Sequence, residues 1–239
     1  MLKTFLDRIY VINLPERTDR RRQIERELQM IGFPPGDPRV EFPHAPRPTD
    51  TNGFPSRAVY GNYLSHLAIV EDAAAKGYRR IMILEDDALF SSRLINGQTQ
   101  LVDELGRRPW DLCFLGHSLT TEIADQPDGL VDTACGFIWM HCFIVNASVH
   151  ARLIEYLKLS MTLTPGDPLG ARMYIDAAYA HFRKQNPEVI TLVAKPAVSR
   201  QRGSPSSIAG RHWFDHIAFL QPAVRPLRWV RDEYWRRTN

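Results

Sequence analysis

The chain has 239 residues, 44% of them hydrophobic, with a formal net charge of +3. That length supports one sizeable α/β domain with its own core, and so small a charge gives no argument for a nucleic-acid partner. No apolar run approaches the ~20 residues that span a bilayer, and the start Met1-Leu2-Lys3-Thr4-Phe5-Leu6-Asp7-Arg8 lacks the long apolar region of a secretory signal. Three cysteines, Cys113, Cys135 and Cys142, lie in apolar surroundings at no metal-binding spacing. They read as buried free thiols of a reducing compartment, which points to a cytoplasmic protein.

In chain order, residues 8–14 (Arg-Ile-Tyr-Val-Ile-Asn-Leu) predict a first buried strand, and Pro15-Glu16-Arg17-Thr18 a turn. Thr18 or Asp19 caps a helix whose apolar positions Ile24, Leu28 and Ile31 share one face, and Gly32 with Pro34-Pro35 ends it. Residues 33–58 are rich in Pro, Gly and Asp and read as a long surface excursion, with a short strand at Val40-Glu41-Phe42. A second helix over 61–76 carries Leu64, Leu67, Ala68 and Ala75. Ile81-Met82-Ile83-Leu84 is a short continuous apolar run, the mark of a strand buried on both faces. Leu112–Gly116 reads as a second such strand, and 137–145 as a long strand interrupted by His141. Asn146 caps a helix through Leu159. Residues 173–185 form another helix, 189–193 a late strand and 199–211 a loop. Strands alternating with helices make one α/β domain over 1–239, with a basic aromatic segment at 222–239.

Three places carry chemistry. Glu85-Asp86-Asp87 follows the central strand directly, at the carboxyl end where open α/β sheets bind ligands. Adjacent carboxylates repel unless a cation neutralises them, and hard oxygen ligands suit Mg²⁺ or Mn²⁺ completed by substrate phosphates. An ordinary acidic turn is the other reading. Arg17, Arg20, Arg21 and Arg22 crowd a helix N-terminus, which favours anions, and the planar guanidinium bonds two phosphate oxygens at once. They cannot all point one way, so at most two of Arg17, Arg20 and Arg21 touch ligand. Ser65-His66 can either bond a ligand or hold its helix to the sheet. Together a phosphate site, a metal site and a parallel sheet suggest a nucleoside diphosphate ligand.

The order Val11-Ile12-Asn13-Leu14, Arg17-x-Asp19-Arg20-Arg21, Gly61-x-x-Leu64-Ser65-His66 and Leu84-Glu85-Asp86-Asp87 resembles glycosyltransferase family 25. This is the lipopolysaccharide-biosynthesis type, which also includes collagen galactosyltransferases. The resemblance implies a GT-A type nucleotide-binding sandwich with a mostly parallel central sheet flanked by helices. It implies metal-dependent, inverting transfer of a sugar, often galactose, from a UDP-sugar to a glycan or lipid-linked glycan. Carried over by position, Asn13, Leu14, Arg17, Arg20, Arg21, Ser65, His66, Glu85 and Asp86 would bind the donor. Asp87, with Asp86 behind it, would hold Mn²⁺ or Mg²⁺. Asp111-Leu112-x-Phe114-Leu115-Gly116, Tyr174-Ile175-Asp176, and Pro196, Gln201 and Ser206-x-Ile208 resemble later elements of the family. The family's Gly-Glu-x-Gly-Cys is replaced by Ala58-Val59-Tyr60-Gly61-Asn62, which leaves a catalytically silent nucleotide- or glycan-binding module as the alternative.

An inverting transferase needs a base for the acceptor hydroxyl. Asp176, near a helix start after a Gly/Pro loop, is the candidate, and a first-turn capping acid is its other reading. His117, just past the strand ending at Gly116, is a better site candidate than His141, which reads as a core histidine. Arg225, Arg228, Trp229, Arg231, Trp235, Arg236 and Arg237 interleave cations with indoles. Such a segment either packs its tryptophans on the domain or contacts the inner membrane peripherally.

Overall fold

The computed structural model describes residues 1–119, 122–134, 139–202 and 221–239, the side chains of 221–229 apart. The centre of the sheet is β3 (Arg80–Glu85). Ile81 and Ile83 face one apolar cluster, and Met82 and Leu84 the other. A strand buried on both faces has no polar side to show, which is why its sequence is a continuous apolar run. Parallel to it lies β1 (Arg8–Ile12), and on the far side of β1 the short β2 (Val40–Glu41). On its other flank comes β7 (Cys142–Asn146), then β5 (Leu112–Gly116), β8 (Thr191–Lys195) and β6 (Gly129–Asp132). A short pair, β4 (Ala88–Phe90) and β9 (Ser199–Gln201), continues the sheet beyond β3 and β5.

Six strands, β1, β2, β3, β5, β8 and β9, run one way, and β4, β6 and β7 run against them. Helices cover both faces. On one side α3 (Arg57–Ala75), α6 (Ala147–Thr162) and α7 (Ile175–Gln185) bury Tyr63, Leu67, Leu153, Tyr179 and Phe182 against Tyr10, Phe114 and Phe143. On the other, α1 (Leu2–Phe5), α2 (Thr18–Met30), α4 (Ser92–Asn96) and α5 (Gln98–Gly106) bury Ile24, Leu28, Leu94 and Leu105 against Ile9, Val11 and Cys113. Each such side chain contributes roughly 1.5–3 kcal/mol relative to exposure. The architecture is an α/β sandwich with a mostly parallel central sheet flanked by helices, as the sequence leads one to expect.

Several boundaries differ from the sequence reading for local reasons. Helix α3 starts at Arg57, because Ser56 caps it by accepting the Val59 N–H at 3.2 Å. Gly61 therefore lies inside the helix, where a Cβ would stand 2.8 Å from the Pro46 carbonyl oxygen. The loop of the long excursion crosses the helix there, and only glycine admits it. Arg17, not Thr18 or Asp19, is the N-cap of α2, and no side chain caps it. Asn146 is the N-cap of α6 as expected, but its side chain makes no cap bond and its amide donates to the Trp110 carbonyl. Residues 199–201 form β9 rather than loop, because they complete β4, and the remainder of the expected 203–211 loop lies outside the described residues. The expected strand over 137–145 is described from residue 139, and its regular part is β7, antiparallel between β3 and β5. Cys113 and Cys142 are buried free thiols; Cys135 lies outside the described residues. No described helix is long and apolar enough to cross a membrane.

Candidate active site

The topology brings the ends of β1 and β3 and the start of β7 to one edge of the sheet. Glu85 donates its backbone N–H to the His141 carbonyl at 2.9 Å, closing the β3–β7 pair at that edge. Asn13, the residue after β1, is buried and donates its side-chain amide to Asp86 Oδ2 at 2.7 Å. Arg20 sits in the first turns of α2, equally buried, and donates to Asp86 Oδ1 at 2.7 Å. Both Asp86 oxygens are thus engaged by the protein. Arg20 also lies 3.3 Å from Asp87 Oδ2. One guanidinium held between two buried carboxylates compensates part of their mutual repulsion, since a paired buried charge is far less costly than a bare one.

Asp87 differs from its neighbour. Its Oδ1 is buried without a hydrogen-bond partner among the described residues. Burial pushes its carboxyl up to about 6; Arg20 pulls the other way and the Asp86 charge adds to the rise. Glu85 is raised well above the ordinary carboxylate range by burial, then by the charges of Asp87 and Asp176, while a hydrogen bond from the Gln201 side chain opposes this. Asp176, in the first turn of α7, is pushed up to about 6 by burial, against a backbone hydrogen bond with Met140. The fold therefore brings Asp176 within electrostatic reach of Glu85 across ninety residues of sequence. Strongly perturbed carboxylates gathered at a sheet edge mark a functional site more often than an ordinary turn.

The other expected residues scatter. Leu14 contributes a carbonyl that accepts the Arg17 N–H at 2.8 Å and so shapes the turn into α2. Arg17 pairs with Asp19 at 3.1 Å and feels the charges of Asp86 and Asp87. Arg21, one position round the helix from Arg20, pairs with Glu25 at 3.2 Å and stacks over the Phe42 ring at 4.1 Å. Ser65 donates to the Gly61 carbonyl at 2.9 Å, within its own helix. His66 is buried and its ring lies parallel to Phe143 at 6.0 Å; burial pulls its imidazole down to about 3. His66 thus packs on the sheet, while Ser65 is buried and bonded within α3. His117 has both ring nitrogens engaged, one with the Ala194 carbonyl at 2.7 Å and the other accepting the Leu119 N–H at 3.2 Å. His141 packs against the backbone of Gly116, where a Cβ would meet its Nε2 at 2.2 Å, and burial pulls it down to about 4.

Two contributors were not among the expected site residues. Gln201 acts through its bond to Glu85, and Arg202 donates its N–H to the Asp87 carbonyl at 2.8 Å. The sole sequence signal for them was the late Pro…Gln resemblance; Ser206 and Ile208 lie outside the described residues. Among the described residues, no group of three or more His, Cys, Asp or Glu side chains is arranged to hold a metal. A cation here would bind Asp87 Oδ1 and take its remaining ligands from a phosphate or water, as hard divalent ions commonly do.

Fold and edge together define an α/β protein with a mostly parallel central sheet whose acidic turn is the candidate ligand site. It is similar to curated glycosyltransferase 25 family proteins. It is 27% identical over 185 residues to the probable inactive glycosyltransferase 25 family member 3 of Bos taurus, covering 67% of this chain and 31% of that protein. It is also 27% identical over 132 residues to the inactive glycosyltransferase 25 family member 3 of Homo sapiens, covering 48% and 22%. The chain thus spans less than a third of the length of the curated relatives it matches. Among solved structures it is similar to a glycosyltransferase involved in glycosylation of the major capsid of PBCV-1, with a TM-score of 0.49, 13% identity, and 95% and 97% of the two chains covered. No family model matches the chain.

Proposed function

We propose that the chain is a glycosyltransferase that moves a sugar, galactose in the favoured reading, from a UDP-sugar to a glycan or lipid-linked glycan with inversion. The observation that carries this is the meeting of Asp87, with its unpartnered buried oxygen, and Asp176 beside Glu85 at the carboxyl edge of β3. Similarity to glycosyltransferase 25 family proteins supports it.

Asp87 fits Mn²⁺ or Mg²⁺, because a buried carboxylate oxygen without a hydrogen bond is an open ligand position. When bound, the cation supplies positive charge that neutralises the diphosphate and eases its departure. Asp86 serves the site by fixing Asn13 and Arg20 rather than by ligating. Arg17 at the start of α2 adds positive charge for the diphosphate. Asp176, ionised above about pH 6, accepts the proton of the acceptor hydroxyl. That oxygen attacks the anomeric carbon opposite the bond to phosphate, which breaks, and the configuration inverts. Tyr174, two residues before Asp176, and Trp139, next to the Met140 whose backbone bonds Asp176, are exposed at 52% and 57% and offer ring faces to an acceptor sugar.

The test is UDP release from a panel of UDP-sugars with Mn²⁺, Mg²⁺ or EDTA, for wild type and Asp87→Asn. Metal-dependent turnover lost in the variant is the expected result; turnover indifferent to EDTA and to the substitution sinks the reading. The alternative, a silent nucleotide- or glycan-binding module, is favoured by two observations: the Glu of the family motif is absent at 58–62, and both curated relatives carry the word inactive in their names. Metal-dependent UDP binding without transfer or hydrolysis selects it.

For the C-terminal helix α8 (Gln221–Thr238), Asp232 and Arg236 pair inward with Arg200 and Glu27, while Arg231, Tyr234 and Arg237 are exposed. Peripheral membrane contact would use that outer face. Flotation with anionic vesicles, unchanged by Arg231→Ala with Arg237→Ala, rules it out.

A further inference from the structure

We infer that Glu27 and helix α8 are positioning elements for the acidic edge, acting on Glu85 and Asp87 through Gln201 and Arg202. The inference rests on reading that edge as the donor site.

Glu27 lies on the inner face of α2 and is 2% exposed. Its Oε2 accepts the Phe90 N–H at 3.0 Å, at the end of β4. Its Oε1 accepts from Arg236 of α8 at 2.6 Å and from Arg202. Arg236 donates also to the Phe90 carbonyl at 2.8 Å. A second buried carboxylate, Asp232 of α8, pairs with Arg200 at 2.7 Å and lies 3.9 Å from Arg202. Two acids and three guanidiniums thus clasp β9 from outside.

From inside, the same strand touches the site. Gln201 pairs with Ala88 across the β4–β9 ladder, and its side chain donates to Glu85. Arg202 donates its N–H to the Asp87 carbonyl. Strand β9 is three residues long, and a ladder that short has little stability of its own. Its grip on Glu85 and Asp87 is therefore set by the charge-assisted bonds behind it, which are the stronger class of hydrogen bond.

The test compares Glu27→Gln, Asp232→Asn and the surface control Arg237→Ala in the full chain. Three quantities are read well below each variant's Tm: UDP affinity with Mn²⁺ by calorimetry, the split between KM for donor and kcat, and hydrogen exchange at the Arg202 amide. Asp232→Asn is the milder change and stands in if Glu27→Gln does not fold. Expected are roughly tenfold weaker UDP binding, a raised donor KM with kcat less affected, and faster Arg202 exchange, none of them in Arg237→Ala. Folded Glu27 or Asp232 variants with wild-type affinity and exchange overturn the inference and leave the proposed function standing. Wild type that binds no UDP with Mn²⁺ overturns the proposed function instead, and Arg202 exchange alone then decides whether the clasp holds the edge.

Discussion

The two ends of the sheet treat their carboxylates in opposite ways. At the amino end, Asp7 accepts the N–H groups of Arg79 and Arg80, each at 2.8 Å, and ties the start of β3 to that of β1. Asp111 likewise accepts from Ser148 and from the Ile190 N–H at 2.8 Å, pinning β8 beside β5. At the carboxyl end, Glu85, Asp87 and Asp176 are raised chiefly by burial, Glu85 also by the charges of the other two, and Asp87 keeps an oxygen without a partner among the described residues. One chain thus uses the same side chains as fasteners at one end and as held charge at the other. On the proposed function, the unsatisfied end is where a ligand would bind.

That contrast can be broken in order of expected effect. Asp176→Asn should lower transfer by about 10²–10⁴-fold while UDP-sugar binding by calorimetry stays intact; lost binding would make Asp176 a donor contact instead. Asp111→Ala, at the fastening end, should cost about 1–3 kcal/mol in urea unfolding, because it orphans the Ile190 amide, and leave UDP affinity alone. Asp87→Asn should do the reverse: abolish metal-dependent binding yet raise metal-free stability at pH 7.5 by on the order of 1–3 kcal/mol.

The sign of that last effect follows from linkage. A carboxyl with a higher pKa folded than unfolded holds its proton more tightly in the folded state. Its contribution is present below about 4 and is lost as pH rises through about 6, the position of Asp87 and Asp176. The metal-free chain should therefore lose Tm between pH 5 and 7.5, and Mn²⁺ should restore more of it at 7.5; equal Mn²⁺ shifts at both pH values would contradict an Asp87 site. Least affected should be Arg21→Ala, within about 0.5 kcal/mol and without change in UDP affinity, since its partners Glu25 and Phe42 are away from the acidic turn.

The elements legible in the sequence were those whose pattern is local. The apolar run of β3 and β5, the spacing of Ile24 and Leu28 in α2 and the position of Asp176 at a helix start all appear in the fold. Strands β4, β6 and β9 are short and take their form from partners distant in sequence, so no window of residues announces them. The same holds at the site. Three adjacent acids are visible at once, but that Asn13 and Arg20 tether Asp86 and leave Asp87 open depends on bonds spanning 73 and 66 residues. Ser65 and His66 looked like ligand contacts because their types permit it. Helix phase turned both into the core, where Ser65 is bound to Gly61.

The contact of His141 with Gly116 constrains how such a sequence can drift. Every side chain other than hydrogen at 116 collides with the imidazole, its Cβ meeting ring atoms at 2.2 to 2.7 Å. In a saturation library, position 116 should return glycine alone while 141 is histidine. A smaller residue at 141 would reopen 116 to alanine, so the two sites form a pair whose allowed states must change together. The Leu-Gly ending of β5 is on this reading a matter of steric exclusion by the ring opposite it.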